Sequence, residues 1–361
     1  MNNTLNLTFI LTPLLVAIWL SGSAPDASAA WELLPAAQVM ENVSALETDG
    51  RRLYAGTWRG LYISDDNGDS WRTTALTPGS VQAIAVGEDA IYAFVYKGGI
   101  KHGMYRSDDY GETWHQKNNG FPEINPGTGV IPSIHQILVT RSGMVIAVGD
   151  RHGTYVSRDR GETWRFPAEW SYPCPASPDF TFRNQILLMA ESDGYLWAAT
   201  SWGELYRSPD DGTAWECLRG DRLRGVHGIR DWVMLDNQLY FGGAQGTHGF
   251  ARWNEGELAM EPLGRRIPGR FRLRRPIPYI NSLAVNRGRI FAGVSGGVYM
   301  FDQGAESWIR AGLNGASVYS LISHQSHLYA GTAAGIYRAS IPIVHSYGKA
   351  ATTWGAIKHK Q

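Results

Sequence analysis

The sequence lacks an excess of charge of either sign. Its 33 basic and 33 acidic side chains cancel, which argues against a chain that binds nucleic acid or a membrane surface by general electrostatic attraction. After residue 30 it also lacks an amphipathic helical stripe of any length. Glycine, tryptophan and tyrosine are plentiful, at 42, 14 and 17 residues. This composition favours many short strands joined by tight turns.

Cysteine is nearly absent, with only Cys174 and Cys217 present. In an exported protein the two thiols could form one disulfide. A chain of this size can bury a large core without a cross-link, and the sequence does not give the distance between the thiols. We therefore expect two independent thiols, with one disulfide as the alternative.

The only long apolar run lies at the N-terminus. Residues 5–20 are almost wholly apolar, and small residues follow at 27–30, the pattern of a signal peptide and its cleavage site. The run is shorter than the ~20 apolar residues of a membrane-spanning helix. We predict a signal peptide over residues 1–30 and a secreted or periplasmic mature protein. An uncleaved segment would instead associate with the membrane.

One eight-residue pattern, Ser-x-Asp-x-Gly-x-x-Trp, occurs four times. In a tight turn its Asp can accept hydrogen bonds from backbone N–H groups, and its Gly supplies a positive φ. The Ser can tie the incoming strand to the turn, and the Trp can pack beneath the hairpin. We therefore interpret the pattern as a structural staple. Its defining residues are Ser64, Asp66, Gly68, Trp71, Ser107, Asp109, Gly111, Trp114, Ser157, Asp159, Gly161, Trp164, Ser208, Asp210, Gly212 and Trp215.

A second pattern, an apolar pair followed in most copies by a small residue, occurs seven times. Its third residues stand at positions 55, 93, 147, 198, 241, 292 and 330. Turn signals such as Asn67-Gly68 divide each repeat into four short strands. Four-stranded units at such a period are typical of propeller blades. The sequence predicts an all-β, seven-bladed β-propeller of four-stranded antiparallel blades over residues 31–342.

The two ends of this region fit the closure of a ring. The seventh repeat supplies three strands and has no Ser/Asp/Gly/Trp pattern after it. Residues 31–35, which begin with Trp31, resemble the missing fourth strand. We predict that they complete the last blade, which leaves the ring without a free edge. Residues 343–361 have no place in this scheme and are expected to form a C-terminal tail.

The four copies resemble the Asp-box, or BNR, repeats of sialidases and related β-propellers. With the Tyr-Ala-Gly-Thr phrases that begin at Tyr54 and Tyr329, the chain is similar to the sialidase-like superfamily, to the seven-bladed photosystem II assembly and stability factors and to sortilin-like propellers. In those families the box lies at the blade periphery, away from the ligand. The resemblance therefore implies a structural role for the boxes.

Calcium binding is an alternative role for the first box, because its carboxylates alternate as in an EF-hand loop. However, Ser70 stands where that loop requires Gly, and Leu76 stands where its closing Glu belongs. We predict no metal and no cofactor.

Glycoside hydrolysis is the alternative function, since sialidases carry the same box. The resemblance implies three arginines on the substrate carboxylate and an Arg-Ile-Pro motif before the first box, in a six-bladed ring. Here Arg266-Ile267-Pro268 follows the fourth box, and Arg230, Arg266 and Arg287 would have to meet. The chain also lacks the nucleophile elbow, the zinc-protease and the phosphate-loop motifs. We predict no catalytic residues and keep an exo-sialidase-like hydrolase as the alternative.

Ligand recognition is expected on the face with the B-to-C and D-to-A connections, because insertions in repeat folds collect on the functional face. One D-to-A connection holds six arginines and no acid within residues 265–275, and arginine favours planar anions. The alternative is a solvated loop paired with nearby acids. The predicted ligand-binding residues are Trp58, Arg59, Tyr96, Lys97, Arg151, His152, Trp202, His248, Arg266, Arg270, Arg272 and Arg274.

The sequence thus predicts a secreted, non-catalytic propeller that serves as a binding or assembly module. Its partner would be a protein or a glycan, with acidic groups favoured by the arginine insert. We expect a monomer and no nucleic-acid partner.

Overall fold

The computed structural model describes residues 30–35, 40–96, 102–149, 153–167, 170, 186–192, 194–200, 204–219, 227–245, 249–254, 259–263 and 279–341. These residues form seven antiparallel sheets, six of four strands and one of three. The described residues contain no helix long and apolar enough to cross a membrane. Residues 1–29 and 342–361, which include the predicted tail and all but the last residue of the predicted signal peptide, lie outside the described residues.

Each sheet is one blade, and its strands are called A to D from the axis of the ring outward. The A strands are β2 (Val43–Thr48), β6 (Val81–Val86), β10 (Ile134–Val139), β13 (Ile186–Ser192), β17 (His227–Leu235), β21 (Ile280–Asn286) and β25 (Val318–His324). The B strands are β3 (Leu53–Thr57), β7 (Ile91–Val95), β11 (Val145–Gly149), β14 (Tyr195–Thr200), β18 (Gln238–Gln245), β22 (Arg289–Val294) and β26 (His327–Thr332).

The outer strands are shorter and less regular. The C strands are β4 (Leu61–Ser64), β8 (Gly103–Ser107), β12 (Thr154–Ser157), β15 (Leu205–Ser208), β19 (Phe250–Asn254), β23 (Gly297–Asp302) and β27 (Gly335–Ser340). The D strands are β5 (Arg72–Thr73), β9 (His115–Gln116), β16 (Glu216–Arg219), β20 (Ala259–Pro262), β24 (Ser307–Gly312) and β1 (Trp31–Leu33). Blade 3 has only the bridge between Val156 and Arg165 at this position. The first D strand, β5, has only 2 residues.

The ring closes as the sequence predicts. Each A strand contacts the A strand of the next blade, and β25 of blade 7 contacts β2 of blade 1. Strand β1 pairs with β27, with Trp31 opposite Ala339. The Trp31 indole also donates a 2.8 Å hydrogen bond to the Ala311 carbonyl of blade 6. The prediction of a seven-bladed ring completed by the N-terminal strand is confirmed.

The hydrophobic core is divided among the interfaces between neighbouring blades. One cluster joins Tyr54 and Ile63 of blade 1 to Val81 and Ile91 of blade 2. The B strands are covered on both faces, and all five residues of β3 are buried. Strands enclosed on both sides are expected to be apolar without alternation, which explains the repeated apolar pair in the sequence.

Each Asp box folds the C-to-D hairpin with the same hydrogen bonds. In the first box the Ser64 hydroxyl donates to Asp66 Oδ1 at 2.8 Å, and the amides of Gly68 and Ser70 donate to Ser64 Oγ and Asp66 Oδ1 at 2.7 and 2.8 Å. The Trp71 indole donates to the Gly68 carbonyl at 3.0 Å. The other three boxes repeat the Ser, Gly and Asp bonds.

The boxes also join each blade to the blade before it, a contact that the sequence analysis missed. The residue before each box glycine has a left-handed backbone, and its carbonyl accepts a hydrogen bond from an arginine of the preceding blade. These bonds run from Arg338 to Asn67 (3.0 Å), Arg72 to Tyr110 (3.1 Å), Arg106 to Arg160 (2.7 Å) and Arg158 to Asp211 (3.3 Å). The box is therefore a joint between blades as well as a turn within one blade.

Cys217, in β16, is disulfide-bonded, so the expectation of two independent thiols is wrong. Cys174, the only other cysteine in the sequence, lies outside the described residues. A disulfide requires Cα atoms within roughly 7 Å of each other, a distance that depends on the fold and cannot be deduced from the spacing of the cysteines.

Two carboxyl groups of the inner strands have a raised pKa, those of Glu47 in β2 and Asp231 in β17. Burial raises the pKa of Glu47 to about 7, and the charge of Asp231 adds to the rise. Burial also raises the pKa of Asp231 to about 6, although the amide of Leu283 and the hydroxyl of Ser282 hydrogen-bond to its carboxyl. Both residues are half-buried.

Replacing a box glycine should disturb the joint between two blades. Gly68 and Gly50 have similar positive φ angles, +90° and +83°. A Cβ added at Gly68 would lie 2.7 Å from Leu34 Cδ1, whereas a Cβ added at Gly50 would meet no atom within 4 Å. We expect Gly50→Ala to cost about 1 kcal/mol of backbone strain. Gly68→Ala should cost roughly 1–3 kcal/mol more, from overpacking. Equilibrium unfolding in urea measures both, and equal losses would contradict the joint.

Removing the Glu47 charge should stabilise the ring at high pH. Unfolded Glu47 loses its proton near the ordinary value of 4.5, whereas the folded group keeps it up to about pH 7. Above that pH the folded chain bears an unfavourable buried charge, so we expect Glu47→Gln to gain roughly 1–3 kcal/mol at pH 8. The gain should vanish below pH 4.5. Thermal melts across this range, with the exposed Glu41→Gln as control, test the effect. A gain independent of pH would contradict it.

Candidate ligand-binding face

The ring has two different faces. Because successive strands of a blade are antiparallel, the A-to-B turns and the Asp boxes share one face, and the B-to-C turns and D-to-A connections share the other. We call the second one the loop face. The four box aspartates therefore lie on separate blades at the opposite face and do not surround a common pocket.

Three of the predicted ligand-binding residues come together on the loop face. Trp58 and Arg59 form the B-to-C turn of blade 1, and Tyr96 begins that of blade 2. Trp58 is 48% exposed, and the Arg59 guanidinium lies 4.8 Å from the centre of its ring. The other predicted residues lie outside the described residues: Lys97, Arg151, His152, Trp202, His248, Arg266, Arg270, Arg272 and Arg274.

Trp58, Arg59 and Tyr96 line an open cleft of about 840 Å³ between blades 1 and 2. Its floor and far wall come from Tyr62, Thr77, Pro78, Gly79, Ser80 and Gln82. The Gly79 amide donates to the Arg59 carbonyl at 2.9 Å, and the Tyr96 amide donates to the Ser80 carbonyl at 2.7 Å. These bonds tie the D-to-A connection to both B-to-C turns, so the cleft has a fixed shape.

A second set of residues on the loop face was missed by the sequence analysis. Every A strand carries a β-bulge, at which one residue is left out of the pairing with the B strand. The residue before each bulge is Val or Ile and is at most 1% exposed. The bulged residues encircle the axis, and we call them the mouth ring: Ser44, Gln82, His135, Leu187, Arg230, Asn281 and Tyr319.

The mouth ring is bonded from one blade to the next. The Ser44 hydroxyl donates to the Val81 carbonyl at 3.3 Å, and the Asn281 amide donates to the Val318 carbonyl at 2.8 Å. A His135 ring nitrogen lies 2.8 Å from the Leu187 carbonyl oxygen. A bulge leaves its extra residue outside the ladder of strand pairing, so these side chains can reach the neighbouring blade or the rim of the channel. Gln82 belongs to both the ring and the cleft, so the cleft opens towards the axis.

Arg230 is the only cation in the mouth ring, and the ring contains no acid. Its side chain is exposed. One of its terminal nitrogens donates to the Asn281 side-chain oxygen at 3.3 Å, and its guanidinium lies 5.4 Å from the centre of the Tyr279 ring. Tyr319, beside Asn281 in the ring, is 39% exposed. No carboxylate in the described part of the chain pairs with Arg230.

The geometry disfavours a sialidase-like arginine triad. Arg230 lies in the loop-face half of its A strand, whereas Arg287 follows β21 in an A-to-B turn at the opposite face. About six residues of strand separate the bulge of an A strand from the A-to-B turn that follows it, a distance of about 20 Å. One substrate carboxylate cannot contact both, and Arg266 lies outside the described residues. Among the described residues, no three His, Cys, Asp or Glu side chains are grouped so as to hold a metal.

Comparison with protein families identifies the repeat. The family model of the BNR/Asp-box repeat matches residues 105–116, which include the second box. No curated protein matches the sequence. Solved structures match in large number, 1210 chains in all, so the fold by itself does not single out one function.

Three of these structures illustrate the range. The extracellular domain of BT4673 from B. thetaiotaomicron has a TM-score of 0.61 at 13% identity, over 86% of this chain and 39% of that one. YCF48 from Cyanidioschyzon merolae has a TM-score of 0.57 at 16% identity, over 86% and 98% of the two chains. A GH74 xyloglucanase from Xanthomonas campestris has a TM-score of 0.60 at 15% identity, over 88% and 54%.

The chain thus spans about two fifths of the first of these proteins and nearly all of YCF48. At such identities the similarity establishes the architecture alone. Together with the box geometry and the family match, it identifies this chain as a seven-bladed β-propeller built with Asp-box repeats.

Proposed function

We propose that the protein is a non-catalytic binding or assembly module that holds a segment of a partner protein on its loop face. The observation that carries the proposal is the cleft between blades 1 and 2, with the exposed Trp58 stacked against Arg59 at its edge. Exposed aromatic and arginine side chains at fixed positions are the residue types that dominate protein recognition.

A structural neighbour supports a peptide as the ligand class. YCF48 has been solved bound to a D1 peptide, in a structure that matches 88% of this chain and 97% of its own length. The xyloglucanase, in contrast, is about twice the length that the match covers. None of the described residues that line the cleft carries a carboxyl group, whereas glycoside hydrolysis would require a pair of them.

We further propose that the protein works outside the cytoplasm, with residues 1–30 as signal peptide, 31–342 as the propeller and 343–361 as a tail. Neighbours with this fold include an extracellular domain and PorZ, a bacterial surface component from Porphyromonas gingivalis. Strand β1 begins at Trp31, so cleavage after residue 30 would leave the closing strand intact.

Selection of peptides on the immobilised chain tests the binding function. We expect a random peptide library to yield binders, and we expect Trp58→Ala to weaken them by about tenfold or more, as loss of a central aromatic anchor does. Tyr110→Ala is the matched control, because Tyr110 is 52% exposed on the opposite face. Equal binding to both variants would remove the cleft from the proposal. Cleavage of sialic-acid or xyloglucan substrates by the same preparation would instead favour the hydrolase.

Processing of the N-terminus tests the location. After expression of residues 1–361 in a Gram-negative host, we expect intact-mass analysis of the periplasmic fraction to find a chain that begins near Trp31. A variant without residues 2–29 should remain in the cytoplasm. Recovery of the unprocessed chain in the membrane fraction would contradict cleavage and indicate an anchor.

A further inference from the structure

We infer that Arg230 and the residues around it form a carboxylate-binding site at the mouth of the channel. The carboxylate would belong to the peptide bound on the loop face, as a C-terminus or as an acidic side chain. This inference rests on the proposed function and adds to it the chemical group that the partner must present.

The position of Arg230 is set by the fold. Ile229, which is 1% exposed, anchors the blade 5 A strand in the core, and the register shifts between Ile229 and Asp231. The bulge therefore projects Arg230 from a buried strand into the rim of the channel. The Asp231 carboxyl, its immediate neighbour in the chain, forms no ion pair with it and instead accepts hydrogen bonds from Leu283 and Ser282 of blade 6.

The guanidinium is held by neutral groups. Asn281 Oδ1 accepts from one terminal nitrogen at 3.3 Å, and the Asn281 amide is itself fixed on the Val318 carbonyl at 2.8 Å. The Tyr279 ring lies 5.4 Å away. These contacts restrict the orientation of Arg230 without using its charge, and they leave further N–H groups of the planar fork for a ligand. An arginine oriented in this way presents parallel N–H donors to the two oxygens of a carboxylate.

The composition of the mouth ring favours an anion over a cation. Arg230 supplies a permanent positive charge, and no member of the ring is acidic. Tyr319 adds a 39% exposed aromatic ring beside Asn281, which suits the apolar part of a peptide residue. Because Gln82 connects the cleft to the ring, a peptide that packs on Trp58 can extend to the mouth of the channel.

The experiment uses the peptides selected on the wild-type chain. Each binder is made with a free C-terminus, with an amidated C-terminus, and with its Asp and Glu residues changed to Asn and Gln. Their Kd values are measured on wild type, on Arg230→Gln and on Arg51→Gln, a matched control because Arg51 is exposed at the opposite face. Thermal melts confirm that the variants are folded.

We expect one neutralised form of each peptide to bind wild type about tenfold or more weakly, the cost of losing a charged hydrogen bond. Amidation identifies a C-terminal carboxylate, and the Asn/Gln form identifies a side chain. Arg230→Gln should weaken the charged peptide equally and leave the neutralised peptide unaffected, whereas Arg51→Gln should change neither.

Several results would overturn the inference. Equal binding of charged and neutralised peptides to wild type would do so even if Arg230→Gln failed to fold. If Arg230→Gln leaves the Kd of the charged peptide unchanged while Trp58→Ala still weakens peptide binding, the carboxylate site is overturned and the proposed function stays intact. A library that yields no binder would overturn the proposed function itself. Arg230-dependent binding of polygalacturonate in place of any peptide would assign the site to an acidic glycan instead.

Discussion

Each blade of this protein depends on its neighbours, because a four-stranded sheet with two apolar faces cannot bury either face alone. The clusters between blades supply most of the buried apolar surface, such as the one that joins Tyr54 to Val81, and burial of that surface is the main favourable term in folding. The Asp boxes add a directional component at the periphery. Their left-handed carbonyls and glycines face the preceding blade, so a correct turn and a correct blade contact form together.

This arrangement explains how a rigid loop face can carry variable chemistry. Val43 and Ile229 precede the bulges of blades 1 and 5 and are at most 1% exposed. Ser44 and Arg230, which follow them, lie at the channel rim. Packing therefore fixes the backbone at the rim while the residue that faces the ligand contributes little to the core. The cleft wall is similarly fixed by backbone bonds, at Gly79 and Tyr96, so Trp58 and Arg59 are free to serve recognition.

Much of the architecture was predictable from the sequence, and most of the site was not. The boxes and apolar pairs are local patterns, so they gave the blade number, and the box-like spacing of Trp31 gave the closing strand. The mouth ring depends on a β-bulge in each A strand, and a pattern of apolar residues does not reveal which residue the pairing leaves out. The arginine joints and the disulfide of Cys217 depend on distances across blades, which no local pattern contains.

The pairing of β1 with β27 makes the two ends of the propeller one structural unit. Arg338 and Glu32 form an ion pair between residues that are 306 positions apart in the chain. The entropic cost of closing such a long loop rises only with the logarithm of its length, by about 0.6 kcal/mol for each doubling. A strand of three residues can therefore hold the whole circle. As a result, a ribosome must deliver nearly the entire propeller before its first strand finds a partner, and products of premature termination would expose an unpaired edge for proteases to recognise.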